Sequence, residues 1–379
     1  MKVKNIIKYL PAFIFCGFIF VFMVLWVILP KETFSEQEKR NLAEFPELTG
    51  DTILSGDFQK ELDTYLSDHT PARNFFVGLN ADYELVSGRN GSNGIYLGSD
   101  NYLFAKPSED SKQLEKNAQF ISEFADFSAI PVYMTLIPSS GYINTEKLPL
   151  VHEEYRDGEI IDNFRKKLSE RITFIDVKND FKKDSGGDLY YRTDHHWTAK
   201  GAYKCYALLG EKMGYTPVSE YCFSKESIEG FYGTSYSKSC LWFVQPDNIE
   251  LWSNKSQAEG SVTVEIKDGS DAKSNDSYFF REQLQNDDKY PVYLDGNHSF
   301  VRIKNISASS DKKLIVVKDS YAHSIVPFLS QNYSEIIMVD LRYYKKDISL
   351  LAEEEKADAI LILYSLYNLS QDKSISFLF

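Results

Sequence analysis

Leu314-Ile315-Val316-Val317-Lys318-Asp319-Ser320-Tyr321 decides the fold of this chain. Four branched aliphatic residues in a row, with no polar alternation, read as a strand buried on both faces. The strand ends on a serine. Working outward, Glu335 to Val339 and Ala359 to Tyr364 are two more runs of the same kind, and Pro131 to Ile137 and Ile172 to Val177 are two earlier ones. Helical or loop segments separate them. Ser111 to Phe127 places Leu114, Ala118, Ile121 and Phe124 on one face, Ile160 to Leu168 has helical spacing, and Thr198 caps a helix running to Met213. Short apolar runs alternating with helices predict an α/β fold with a mostly parallel five-stranded sheet, covered on both faces. The segment 215–307 breaks that rhythm. Its short runs (Trp242 to Val244, Ile249 to Leu251, Val262 to Ile266, Tyr278 to Phe280, Val301 to Ile303) lie between Gly, Asn and Asp turns and predict a β-rich antiparallel insertion.

A second stretch supplies partners for the serine. Thr193-Asp194-His195-His196-Trp197-Thr198 sets a carboxylate two positions before a histidine, at the entrance to a helix. A carboxylate on one imidazole nitrogen fixes the tautomer and leaves the other nitrogen free to take a serine proton. A histidine pKa near about 6.5 suits that task at neutral pH. A serine after a strand would lie at the carboxyl edge of the sheet, where open α/β folds bind ligands. Backbone N–H groups there would face a developing oxyanion. Blander readings stand beside this one. Ser320 or Asp319 is an N-cap; Asp194 caps the following helix; or Asp194, His195 and His196 contribute to a divalent-metal site completed from elsewhere.

The ends and the composition set the context. Lys2, Lys4 and Lys8 precede an uncharged apolar run from Tyr9 to Pro30, long enough to cross a bilayer. The charge asymmetry keeps the start cytoplasmic and puts the rest outside the cell membrane. Val27-Ile28-Leu29-Pro30 is too bulky for a signal-peptidase site, so an uncleaved single-pass anchor is expected. The expected organisation is a cytoplasmic start and anchor at 1–30, a juxtamembrane linker at 31–56, and an extracytoplasmic domain at 57–379 that holds the insertion. A net charge of −13 argues against a general nucleic-acid binder. The 25 tyrosines and 26 phenylalanines fill an ordinary core before they imply any ligand. Outside the apolar run only Cys205, Cys222 and Cys240 remain, so at most one internal disulfide forms, and their spacing fits no zinc pattern.

With these residues in view, the chain resembles the DHHW proteins, named for the tetrapeptide at 194–197. These are similar to the alginate O-acetyltransferases of the AlgX and AlgJ type, within the SGNH-hydrolase-like superfamily. The likeness runs through Ser35-Glu36-Gln37-Glu38-Lys39-Arg40-Asn41-Leu42 with Pro46, Tyr102-Leu103-Phe104, Val132 to Pro138, Thr193 to Gly201, Lys318-Asp319-Ser320-Tyr321 with Pro327, and Asp340-Leu341-Arg342-Tyr343-Tyr344. It implies a three-layer α/β/α domain with Asp194, His196 and Ser320 as the catalytic set. His195 falls at the variable position of the motif and would shape the pocket. Tyr321 and Trp197 join it as expected substrate contacts, and Arg342, after a strand at the same sheet edge, is either a further contact for an acyl oxygen or sugar or a surface ion pair. The acetyltransferases carry their serine in Gly-Thr-Ser-Tyr-Ser, a string found here at Gly233-Thr234-Ser235-Tyr236-Ser237. No apolar strand precedes it, so it reads as a loop and Ser320 as the nucleophile. The usual glycine of Gly-Asp-Ser is Lys318 here, and Gly296-Asn297 is either an oxyanion donor pair or a plain β-turn.

The resemblance implies a membrane-anchored acyltransferase that O-acetylates a cell-surface or exported polysaccharide through an acyl-serine. No cofactor and no metal would be required. The acyl group would come from a membrane acyl-transfer partner of the MBOAT kind. Two alternatives use the same residues: a carbohydrate acetyl esterase, in which water replaces the sugar, and a non-catalytic scaffold or glycan-binding module of an envelope-assembly complex.

Overall fold

The computed structural model describes residues 2–35, 37–269 and 271–379, with side chains from Tyr9 onward. The expectations placed on Glu36 and on the side chains of Lys2, Lys4 and Lys8 lie outside the described residues. The chain forms two compact units: Met1–Asn93 with Cys240–Trp242, and Gly94–Ser239 with Phe243–Phe379.

The first unit starts with helix α1 (Lys2–Ile28), whose segment Tyr9–Ile28 is long and apolar enough to cross a membrane. Pro11 is accommodated inside it. Helices Gly50–Ser55, Asp57–Asp68 and Arg73–Val86 follow. The motif segment after α1 is tied to them by charge. Arg40 forks onto Asp68, with Nη1 donating at 3.0 Å, and Arg73 donates to Glu38 at 2.5 Å.

The second unit is built on one sheet of eight strands: β1 (Val132–Ile137), β2 (Ile172–Phe174), β3 (Val262–Asp268), β4 (Asp271–Asn275), β5 (Phe300–Asn305), β6 (Lys313–Lys318), β7 (Glu335–Val339) and β8 (Ala359–Ser365). Their order across the sheet is β4-β3-β5-β7-β6-β8-β1-β2. The pairs from β7 to β2 are parallel, with Val317 opposite both Val339 and Ile362. Those five strands are the five apolar runs of the sequence. The remaining three come from the insertion and pair antiparallel, β5 docking beside β7. The expected five-stranded sheet is thus extended to eight, because the alternating runs at Val262 and Val301 join the main sheet.

Side-chain alternation explains the layering. Leu314, Val316, Ile336, Met338, Leu361 and Leu363 enter one buried cluster, while Ile315, Val317, Ile337, Val339, Ile360 and Ile362 enter another on the opposite face. Helix α2 (Ser111–Phe127) covers the second face with Leu114, Ala118, Ile121 and Phe124, joined by Ile161 and Phe164 of α3 (Asp157–Arg165). Helix α4 (Ala199–Met213) covers the first face with Ala202, Cys205, Tyr206 and Leu209. Each such aliphatic side chain stabilises the fold by about 1.5–3 kcal/mol when fully buried, which is why these runs, and not local propensity, place the strands. Thr198 caps α4 as expected, its hydroxyl accepting from Gly201 N at 3.2 Å.

Other details differ from the sequence reading. Trp242 to Val244 forms no strand, and Phe279 makes only an isolated bridge to Tyr293. A separate hairpin pairs Phe223–Phe231 with Asp247–Asn254. The Gly-Thr-Ser-Tyr-Ser string, expected as a loop, opens helix α5 (Thr234–Ser239). Cys205, Cys222 and Cys240 are all free thiols.

Candidate functional site at the carboxyl edge of the sheet

Strand β6 runs through Lys318 and turns sharply. Asp319, not Ser320, caps the short 3₁₀ turn Ser320–His323, its Oδ1 accepting from Tyr321 N at 2.9 Å. The other oxygen of Asp319 accepts from Ser365 N, Ser365 Oγ and Asn368 Nδ2, each at 2.8 Å. This buried carboxylate therefore locks the serine turn to the end of β8 and to helix α6 (Leu366–Gln371). Its capping role frees Ser320 to present its hydroxyl. Among the described residues, no acceptor takes the Ser320 backbone N–H.

The segment Thr193 to Trp197 arrives from the loop before α4. Asp247 receives Thr193 N and Thr193 Oγ1, both at 2.7 Å, and so fixes the entry to the segment. The Trp197 indole N–H donates to Tyr321 O at 3.0 Å and to Ser324 Oγ at 2.9 Å, joining the two remote stretches directly. His196 Nε2 and Ser320 Oγ lie 2.7 Å apart, and His196 Nδ1 and Asp194 Oδ1 lie 2.5 Å apart. Asp194 Oδ1 also accepts from His196 N at 2.8 Å, so the carboxylate holds its neighbour by backbone and ring together.

Asp194 is itself enclosed. Its Oδ2 accepts from Thr234 N at 2.6 Å and Thr234 Oγ1 at 3.0 Å, both from the head of α5. Gly233 passes so close that an added Cβ would meet the Asp194 Cβ at 2.2 Å. Burial alone would push the Asp194 carboxyl up, but His196, His195 and the donors from Thr234 hold it well below the usual carboxylate range. It is an anion poised to stabilise an imidazolium. Tyr290 stacks on the His196 ring at 3.9 Å between centroids and 9° between planes, and its hydroxyl donates to Ser320 O at 3.1 Å. Burial holds the Tyr290 and Tyr321 phenols well above their ordinary range, so both are neutral donors.

A cavity of about 280 Å³ adjoins this line of side chains through His195 and Tyr321, the chain neighbours of His196 and Ser320. Thr234, Ser235, Ser365 and Asn368 give it a polar wall, and Ile95, Leu103 and Ile137 an aliphatic one. Of the four expected substrate contacts, only His195 and Tyr321 line it. Trp197 is fully buried, its indole engaged with the serine turn, and so belongs to the core instead of the wall. Arg342 makes a fork to Asp340, with Nε at 2.8 Å and Nη2 at 2.6 Å, and reaches Asn297 at 3.4 Å. The missing motif glycine is also explained. The buried Lys318 side chain reaches His323 Nε2 at 2.8 Å and Asp340 Oδ2 at 3.3 Å, tying the ends of β6 and β7 together.

The metal alternative meets competition. Asp194, His195 and His196 bring one donor atom each to within 4.8 Å of one another. Both ring nitrogens of His196 and the Oδ1 of Asp194 are already engaged, so a cation here would have to displace those hydrogen bonds. Sequence reasoning missed Thr234, Tyr290 and Asp247. Only the Gly233–Ser237 string offered a signal, and attention there went to Ser235, not to Thr234.

Known proteins resemble parts of this chain. Residues 160–339 match the DHHW protein family, and residues 95–221 match the SGNH hydrolase-like domain of acetyltransferase AlgX. A probable alginate O-acetylase AlgJ from Pseudomonas fluorescens is 24% identical over 164 residues, which is 40% of this chain. The match spans 41% of that relative's length. Among solved structures, a DHHW family protein from Eubacterium siraeum shares the fold with a TM-score of 0.63 at 21% identity, covering 76% of this chain and 95% of that one. Bacillus cereus PatB1 does so with a TM-score of 0.63 at 23% identity, covering 75% and 98%. Two overlapping stretches of the chain therefore match the DHHW proteins and the AlgX-like, SGNH hydrolase-like domain, the resemblance its motifs led one to expect.

Proposed function

We propose that this protein is a membrane-anchored acyltransferase that O-acetylates a polysaccharide outside the cell membrane. The observation that carries the reading is the unbroken line Ser320 Oγ, His196, Asp194, with contacts of 2.7 and 2.5 Å. Ser320 attacks the carbonyl carbon of an acyl donor while His196 Nε2 takes the hydroxyl proton. Asp194 holds the ring and stabilises its positive charge. The Ser320 N–H faces the oxyanion of the tetrahedral intermediate. Collapse expels the donor's leaving group, which receives the proton from His196, and leaves an acyl-serine. A sugar hydroxyl then attacks the ester. His196 removes its proton and returns it to Ser320 Oγ as the acetylated sugar departs. The AlgX-like match and the apolar helix at the start of the chain support the choice of acyl group, acceptor and location. A donor used outside the cytosol implies a membrane acyl-transfer partner of the MBOAT kind.

The test uses the full chain in detergent with 4-nitrophenyl acetate, with and without oligosaccharide acceptors. Acetyl transfer that requires Ser320 and an acceptor is the expected result. Hydrolysis indifferent to every acceptor would convert the reading to an esterase. Absence of a fluorophosphonate adduct on Ser320 in folded protein would sink catalysis altogether and leave a binding module.

A further inference from the structure

Helix Arg73–Val86 is apolar on two opposite faces. Gly78 and Ala81 are buried on one of them. On the other, Phe75 is 63% exposed, Leu79 52%, Tyr83 68% and Val86 87%. These four follow one another at helical spacing and, with Phe76, occupy an arc of about 100° on a helix of 3.6 residues per turn. A helix lying against water carries polar side chains there. Nearby segments of the same unit add Phe45, Leu48, Ile53 and Leu54, all exposed.

The packing of this helix against α1 says what covers the arc. The Phe76 ring lies 5.9 Å from Phe22, which is inside the membrane-length segment Tyr9–Ile28. That segment has 20 residues. At about 1.5 Å per residue it spans about 30 Å, equal to the hydrocarbon thickness of a bilayer and leaving almost no slack. Phe22, nearly two turns before Ile28, then lies about 9 Å inside the outer hydrocarbon boundary. A helix that touches it is brought to the depth of about 5–10 Å at which amphipathic helices rest in an interface. Aromatic rings gather at the same end of α1: Trp26 meets Tyr65 at 6.1 Å and Phe45 meets Tyr65 at 5.3 Å. Tryptophan and tyrosine favour that level of a membrane.

We infer that helix Arg73–Val86 lies along the outer leaflet of the membrane, with Phe75, Leu79, Tyr83 and Val86 immersed among the acyl chains. The unit is then held by a lipid-embedded foot as well as by a crossing helix. This rests on the anchor reading of α1.

The experiment uses the full chain in vesicles of phosphatidylcholine and phosphatidylglycerol. The two exposed cysteines are replaced, Cys16→Ala and Cys222→Ser, while the buried ones remain. A nitroxide is placed on Leu79→Cys or Val86→Cys, with Phe18→Cys as the reference inside α1 and Lys60→Cys as the aqueous reference. Collision rates with oxygen and with a nickel chelate are read by power saturation. The expected result is a nickel collision rate at 79 and 86 at least fivefold below that at 60, with oxygen raised toward the value at 18. Nickel access at 79 and 86 equal to that at 60, with 18 still in lipid, overturns the inference and leaves the anchor intact. Nickel access at 18 overturns both. Low collision rates with both reagents, with spin–spin broadening between copies, would mean that a second copy covers the arc, and would also overturn it.

Discussion

Gly233→Ala tests the arrangement without touching any group assigned to the chemistry. The new methyl would meet the Asp194 Cβ at 2.2 Å and its Oδ2 at 2.5 Å. Carbon atoms settle at about 3.5–4.0 Å, so the carboxylate must retreat by about 1.3 Å. That retreat stretches the 2.5 Å contact to His196 Nδ1 and the 2.6 Å bond from Thr234 N together. A hydrogen bond to a charged group contributes about 1.5–3 kcal/mol, and each 1.36 kcal/mol at the transition state is about tenfold in rate. A misplacement of about 1 Å costs on the order of 100-fold by itself. The expected outcome is a kcat for acetyl-ester turnover about 10- to 100-fold below the parent, with KM little changed. Thr234→Ala provides the internal scale. It removes the 3.0 Å hydroxyl bond to Asp194 and the hydroxyl's 2.5 Å contact with His195 Nδ1 but keeps the backbone bond to the carboxylate, so its loss should stay within about tenfold. Both proteins are first checked for a cooperative melt. Parent-level turnover by folded Gly233→Ala would refute the idea that this glycine sets the carboxylate, and so would a larger loss in Thr234→Ala.

Other expectations follow from the same contacts. Ser320→Ala should abolish fluorophosphonate labelling and ester turnover, whereas Ser235→Ala should keep most of both; the opposite pattern, read by mass spectrometry and a colorimetric assay, would move the nucleophile into the cavity wall. Asp157 is buried, and burial raises its carboxyl to about 6, against donors from Ser139 N at 2.9 Å and Ser139 Oγ at 3.0 Å. Its folded-state proton is held more tightly than in the unfolded chain, so that stabilisation is full in acid and fades as pH rises from about 4 to about 6. Urea melts should therefore show Asp157→Asn gaining up to about 3 kcal/mol on the parent between pH 4 and pH 8; a pH-independent difference would refute this. Asp340→Asn leaves buried Lys318 without its counter-charge and should cost about 3–5 kcal/mol, while Lys318→Met leaves Asp340 paired with Arg342 and should cost less than half as much by thermal unfolding.

Four of the five parallel strands were legible because each is an apolar run of five to seven residues that only a doubly covered sheet can bury. The extension of that sheet by β3, β4 and β5 was not. Alternating strands specify which face is wet, but not which neighbour they choose. At the site, Ser320, His196 and Asp194 could be singled out because serine, histidine and aspartate in strand-end and helix-entry contexts carry an intrinsic chemistry. What surrounds them could not. Thr234 meets Asp194 across 40 residues of chain, and Tyr290 lies 94 residues beyond the ring it stacks on. No local propensity encodes such contacts. Trp197 misled for a related reason: an aromatic ring beside a candidate acid–base motif looks like a binding surface until its indole proves to be spent on the serine turn.

The margins of the sheet have a consequence for life at high local concentration. One border is β4, whose Asp271-Ala272-Lys273-Ser274-Asn275 is almost wholly solvated and carries charges of both signs. The other border, β2, is only three residues long. An unpaired strand edge is a template for accretion, and natural proteins blunt it with charge or brevity. This protein does both, one at each side. Molecules crowded together can therefore press side by side without their sheets fusing.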